Sequence, residues 1–281
     1  MPAGQQEGRQ EREDAPALFW RWHPSANARA TIIVVHGLGE HSGRYGHVFD
    51  TLNAHGYSCL AIDLRGFGHS GGPRACLDRF GDYLDDVDAG FGLAQSLGEA
   101  PARLLLGHSM GGLIAARYAQ ERGANLAGVA LSSPGLAILG TVPLWKHGLG
   151  VVLSRLLPRF SLPTEIDPSD LSHDRKIVEA LSQDPLAVGV ISARLYTELR
   201  LNQAIAIERA DRVQCPLLLQ AADPDQVVDV AGARRFLERL EGVEVKSHFY
   251  PGLYHEIFNE TTREEVLGDL TGWLAARDLD S

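Results

Sequence analysis

Cysteine is scarce in this sequence, with only Cys59, Cys76 and Cys215 in 281 residues. Their spacing matches neither a disulfide pair nor a metal site, and two lie in or beside apolar runs. Buried free thiols in a reducing compartment are the expectation. Long hydrophobic runs are missing too, since none approaches the roughly 18 residues of a spanning helix. The start, MPAGQQEGRQEREDAPALF, has no basic stretch leading into an apolar one, so no secretory signal is expected and a cytoplasmic protein is. Basic residues are in deficit, 26 Lys and Arg against 36 Asp and Glu, for a formal charge of −10. A phosphate backbone needs clustered cations, which argues against nucleic acid as a partner. Internal repeats, low-complexity tracts, and metal or cofactor patterns are also lacking, so no cofactor and no metal are expected.

What remains is an ordinary globular composition, 44 % hydrophobic and 22 % charged. Short β-branched or Leu-rich runs predict strands at Thr31–Val35, Ser58–Asp63, Arg103–Leu106, Gly128–Ser132, Pro216–Gln220 and Val245–Tyr250. Several are continuously apolar, as happens when helices cover both faces of a parallel sheet. Helical patterns between them cover Tyr45–His55, Phe80–Leu97, Met110–Arg122, Gly232–Leu240 and Thr262–Ala276. The alternation reads as an α/β protein with a doubly wound, mostly parallel sheet. It fails once: Ser133 to Val213 shows no strong strand signal, and some eighty residues are too many for a loop. The expected organisation is a polar, disordered tail at 1–14, a core of 15–133 and 213–281, and an inserted helical cap at 134–212.

The pattern G-x-S-x-G occurs twice, as GHSGG (Gly68–Gly72) and GHSMG (Gly107–Gly111). A nucleophile turn works where a strand feeds a strained bend that enters a helix directly. The serine is thrust clear of the sheet, and the next amide lies at the positive end of the helix. Flanking glycines are needed because a Cβ would strike the adjoining strand and helix. Ser109 has this context: RLLL precedes it, and MGGLIAARYAQERG follows with Arg122 in its last turn and Gly123 at the left-handed cap position. Ser70 lies among Gly66, Gly68, Gly71, Gly72 and Pro73 with no helix in reach. Ser109 is the expected nucleophile and Ser70 a structural loop serine.

Serine chemistry needs a base, and a histidine titrates in the right range. In hydrolases built on this turn, the acid and then the histidine follow the serine along the chain, on loops after late strands. His147 and His173 fall in the insertion and His248 inside a strand, which leaves His255 in YPGLYHEIFNE. The acid belongs after PLLLQ, where AADPDQVVD offers Asp223, Asp225 and Asp229. Asp225 is favoured and Asp223 kept as the alternative. Oxyanion donors are expected at the amides of Met110 and of Leu38 in HGLGEHSG, with Gly37 and Gly39 allowing close backbone approach.

Taken together, HGLGEHSGRY, DLRGFGHSGG, GHSMGG, LSSPGL, DQVVD and YPGLYHEIFNE resemble the monoacylglycerol lipase and lysophospholipase branch of the α/β-hydrolases, a group often placed with the serine aminopeptidase S33 proteins. The resemblance implies a lid-type cap after LSSPGL and hydrolysis of medium- or long-chain acyl esters, with a lipid-like ester as substrate. It carries Ser109, Asp225 and His255 as triad, with Leu38 and Met110 as oxyanion donors. AADPDQVVD is one residue longer before the acid than the family pattern, which keeps Asp223 open.

Gly135 to Thr164 contains no acidic residue, while Lys146, Arg155 and Arg159 supply positive charge beside the apolar run LGVVLSRLL. Gly135–Ala210 holds eight basic and eight acidic residues, so the net charge of −10 resides elsewhere. The simpler reading is that this run packs the cap onto the core; the sharper one is that Leu149, Leu153 and Leu156 form an apolar entrance for an acyl chain and touch membrane or micelle surfaces transiently. An aminopeptidase or amidase, and a non-catalytic binding protein on the same fold, are the competing readings.

Overall fold

The computed structural model describes residues 4–98, 100, 102–140, 144–164 and 166–277, apart from the side chains of Leu144, Lys146 and His147. Its strands and helices run β1 (Gln6–Gln10), β2 (Leu18–His23), β3 (Ala30–Val35), α1 (Gly46–Ala54), β4 (Tyr57–Ile62), α2 (Gly81–Leu97), β5 (Ala102–His108), α3 (Met110–Glu121), β6 (Gly128–Ser132), α4 (Leu144–Leu156), β7 (Ser161–Pro163), α5 (Arg175–Ser182), β8 (Val190–Ser192), α6 (Ala193–Glu208), β9 (Leu217–Asp223), α7 (Val230–Leu237), β10 (Val245–Pro251) and α8 (Arg263–Ala275). Eight strands form one sheet in the order β1-β2-β4-β3-β5-β6-β9-β10. β1 and β2 are antiparallel additions at one edge, and the other pairs are parallel.

Period-two packing explains the continuous apolar runs. Ile33, Val35 and Leu105 point into the core beneath α2 and α3, while Ile32, Val34, Leu104 and Leu106 point into the core beneath α1 and α8. Both faces are buried, so both sets must be apolar. From β3 the chain moves outward to β4, then returns to β5 on the opposite side of β3 and continues to β10. The carboxyl ends of β3 and β5 therefore meet at the point where strand order reverses, the natural binding crevice of an open α/β sheet.

Three expectations need correction. Residues 4–14 of the expected polar tail are not frayed: β1 pairs with β2 from Gln6↔Trp22 to Gln10↔Leu18. Backbone pairing, not apolar periodicity, holds this edge. Glu7 pairs with Arg21, and Arg12 reaches the buried Asp86 at 2.8 Å. Gly8 leaves room for Trp20, whose ring would lie 2.7 Å from a Cβ there. Met1–Ala3 fall outside the described residues. Second, Gly123 is not a left-handed cap but opens a 3₁₀ turn, Gly123–Asn125. Third, the stretch between β6 and β9 holds a small antiparallel ribbon, β7 with β8, each three residues long and too short for a periodic signal. Within that stretch α6 also packs into the main core through Leu195 and Ala206.

Candidate active site

Ser109 lies between β5 and α3 with φ 53° and ψ −117°, a conformation L residues avoid. The bend exists because glycines flank it. A Cβ on Gly107 would lie 2.1 Å from the Gly111 carbonyl oxygen, and one on Gly111 2.1 Å from that of Val35. Helix α3 thus starts pressed against the sheet. The Ser109 amide donates to the Ser132 carbonyl at 2.9 Å, and its own carbonyl accepts from the Gly135 and Leu113 amides at 2.8 and 3.1 Å. Three neighbours hold the strained residue.

Oγ of Ser109 lies 2.8 Å from Nε2 of His255, and Nδ1 of His255 lies 2.7 Å from Oδ2 of Asp225. The other oxygen of Asp225 accepts from the amides of Val227 and Val228 at 2.7 and 3.0 Å. Burial by itself would raise the Asp225 carboxyl, but His255 and these two amides outweigh it and hold the group below the usual carboxylate range. With the acid ionised, the proton of a neutral His255 sits on Nδ1, and the lone pair of Nε2 faces the serine hydroxyl. The arrangement can take a proton from Ser109 and stabilise the imidazolium that results.

The three acids of AADPDQVVD hold separate positions. Asp223 pairs with Arg234 on the molecular surface, and Asp229 caps α7 by accepting from the Ala231 amide at 2.9 Å. Only Asp225 turns under His255. Ser70 is buried in its loop, donating to the Asp63 carbonyl and accepting from the Phe19 amide. His248 pairs with Asp269 at 3.2 Å, and His173 with Glu260 at 2.8 Å. The side chain of His147 falls outside the described residues.

The loop after β3 passes close to the serine: a Cβ on Gly37 would lie 3.1 Å from that of Ser109. Among the described residues, the amides of Leu38 and Met110 have no protein acceptor. His36 donates from Nδ1 to the Gly37 carbonyl at 2.7 Å and accepts at Nε2 from the Leu64 amide at 2.9 Å. Glu40 accepts from the Gly37 amide at 2.6 Å and from Tyr45 at 2.7 Å. Arg44 joins Glu40 at 3.0 Å to Glu256 at 2.6 and 2.8 Å, linking this loop to the residue after His255. Burial opposes ionisation of Glu40, yet the Arg44 guanidinium, with the Tyr45 hydroxyl, holds its carboxyl below the usual carboxylate range.

His108 was also invisible as a functional neighbour in the sequence. Its ring centre is 5.0 Å from that of His255. Burial, then the neighbouring His255, push it down to about 4, so it stays neutral beside a histidine that must take up charge. His36, Glu40, Arg44 and Glu256 all stand within the recognised sequence pieces. Their burial and mutual bonds depend on tertiary packing that no single stretch displays.

Segments between β6 and β9 bond to each of these loops. The Val188 amide donates to the Gly39 carbonyl at 2.8 Å, the Asp229 amide to the Ala137 carbonyl at 3.1 Å, and the Glu256 amide to the Leu171 carbonyl at 2.8 Å. On α4, Trp145, Leu149, Val152 and Leu156 are 68, 50, 50 and 73 % exposed. At 100° per residue they form one narrow stripe. Leu153 lies at the margin of that stripe and is partly buried, while Ser154 on the opposite side bonds Thr197 of α6 at 2.8 Å. Among the described residues no cluster of His, Cys, Asp and Glu could hold a metal, and no helix is long and apolar enough to cross a membrane.

Residues 26–262 match the family described as serine aminopeptidase, S33. The chain is 34 % identical over 258 residues to a monoacylglycerol lipase of Mycolicibacterium smegmatis, covering 91 % of each chain. It is 31 % identical over 254 residues to phospholipase YtpA of Bacillus subtilis, covering 88 % of this chain and 95 % of that one. Among solved structures, a monoacylglycerol lipase of Paleococcus ferrophilus superposes with a TM-score of 0.85 at 33 % identity, over 92 % of this chain and 98 % of that chain. The shared architecture is the α/β-hydrolase fold.

Proposed function

The chain belongs to the serine aminopeptidase S33 family and is a serine hydrolase, and we propose that it cleaves acyl esters of the monoacylglycerol or lysophospholipid type through an acyl-enzyme on Ser109. The carrying observation is the hydrogen-bonded line Ser109–His255–Asp225, at 2.8 and 2.7 Å, on a strand-to-helix corner. Relatives named monoacylglycerol lipase and phospholipase support the substrate class. In this reading Oγ attacks the ester carbonyl as Nε2 of His255 takes its proton. The amides of Leu38 and Met110 receive the oxyanion, and His255 then protonates the leaving alcohol. Water, activated by the same histidine, releases the fatty acid. Asp225 keeps the imidazole oriented throughout.

We also take residues 134–212 as a cap, with the exposed stripe of α4 touching lipid surfaces transiently. Eight of the ten large apolar side chains exposed among the described residues lie between positions 139 and 162. A patch so concentrated calls for an apolar contact. Leu149 and Leu156 belong to that outer stripe, and Leu153 at its margin remains the better candidate to face an acyl chain. The three buried free thiols suit a reducing, cytoplasmic setting, and a formal charge of −10 disfavours nucleic acid.

A panel of p-nitrophenyl esters, monoacylglycerols, lysophospholipids and aminoacyl anilides tests the assignment. Preference for the glycerol-based esters is expected. Faster turnover of the anilides would make the protein an aminopeptidase instead.

A further inference from the structure

We propose that Asp184 and His41 are positioning residues for catalysis, and that through them the cap segment Asp184–Val188 sets the conformation of the oxyanion-donating loop. This rests on the reading of Leu38 as an oxyanion donor. The Leu38 N–H belongs to the peptide whose carbonyl is that of Gly37. That carbonyl is bonded by Nδ1 of His36 at 2.7 Å, and the Gly37 amide by Glu40 at 2.6 Å. Both anchors belong to the loop itself and hold Gly37, the residue on the upstream side of the donor peptide.

The downstream side is held from the cap. Gly39 turns with φ +80°, its carbonyl accepts from the Val188 amide at 2.8 Å, and a Cβ on it would lie 2.6 Å from the Val188 carbonyl oxygen. Gly39 is thus required less by an incoming substrate than by the cap backbone. Two residues on, Nε2 of His41 donates to Oδ2 of Asp184 at 2.8 Å, while its Nδ1 accepts from the Gly43 amide at 3.1 Å. The second oxygen of Asp184 accepts from the Leu186 amide at 2.8 Å, which shapes the turn leading to Val188. A donor held from both sides needs no reorganisation when charge develops on the substrate. Release of the cap side leaves the Leu38 N–H free to tilt, and small misplacements of catalytic groups are expensive.

The test is turnover of p-nitrophenyl acetate, whose acyl group is too short to depend on an apolar entrance. Asp184→Ala and His41→Ala should each lower kcat about tenfold with KM within about twofold. Affinity for a trifluoromethyl ketone, whose adduct carries the oxyanion, should fall by the same factor. His41→Gln keeps an N–H donor near the Nε2 position and should restore most of the rate. The double alanine variant should lose no more than Asp184→Ala, because both act through one bond. Unchanged kcat with only a lowered Tm, or a loss confined to KM, would overturn the proposal. Ser109→Ala measured alongside separates the two claims: its inactivity with a fully active Asp184→Ala refutes only the positioning role, whereas persistent activity of Ser109→Ala refutes the nucleophile reading itself.

Discussion

Asp225 meets His255 from thirty residues upstream, with Oδ2 2.7 Å from Nδ1 and its remaining oxygen taken by two backbone amides. Asp223, two residues earlier, turns away to Arg234. Asp225→Asn replaces an acceptor with a donor and favours the wrong imidazole tautomer, so kcat should fall by about 10⁴. Asp223→Asn disturbs an exposed ion pair and should stay within about threefold. Steady-state kinetics on one short ester decides between them, and the reverse order would move the acid to Asp223.

The edge strand supplies a stability prediction. Arg12 donates to Asp86, whose side chain is fully buried and also bonds Arg65 at 2.6 Å. Arg12→Ala leaves that carboxylate half-compensated and should cost about 1–3 kcal/mol in urea unfolding. A cost near zero would return residues 4–14 to the status of a loose tail.

His108 supplies a pH prediction. Burial and the nearby His255 depress it to about 4, from an ordinary value of 6.5. Between those values the unfolded chain binds a proton that the folded protein refuses. The stabilising contribution is therefore complete above pH 6.5 and disappears as pH falls to about 4. His108→Asn, whose amide lies near the Nδ1 position and keeps a hydrogen-bonding group toward Ser132, should lose less stability than the parent between pH 7 and 4, by about 3 kcal/mol. His36, also lowered by burial, titrates in both proteins and cancels. Identical pH slopes would contradict this account.

The outer stripe of α4 is tested by Leu156→Asp, at its most exposed position, 73 %. Partition to phospholipid vesicles and activity on micellar esters should fall about threefold or more, while hydrolysis of dispersed short esters stays the same. An unchanged ratio of micellar to dispersed activity would leave the stripe without a role at lipid surfaces.

Much of the molecule was legible because its physics is local. Several central strands, such as β3 and β6, are buried along every residue because helices cover both faces, and the strand–Ser109–helix corner announces itself through Gly107 and Gly111. Other features depend on distant partners. β1 is polar and persists through pairing with β2, Arg12 and Gly8. The choice among three aspartates is made by how the loop turns under His255. Leu149, Leu153 and Leu156 look equivalent in a run of letters, yet helical rotation places Leu153 at the margin of the stripe that holds the other two. The neighbour that Gly39 admits was hidden for the same reason, because that backbone belongs to Val188, 149 residues away in sequence.

The most direct measurement is fluorophosphonate labelling with the adduct located by peptide mass, on the parent, Ser109→Ala and Ser70→Ala, with kcat measured for each. One label on Ser109 is predicted, absent from Ser109→Ala, whose kcat should drop by about 10⁶ while Ser70→Ala stays within about tenfold. A label on any other residue, or undiminished hydrolysis by Ser109→Ala, would contradict the account.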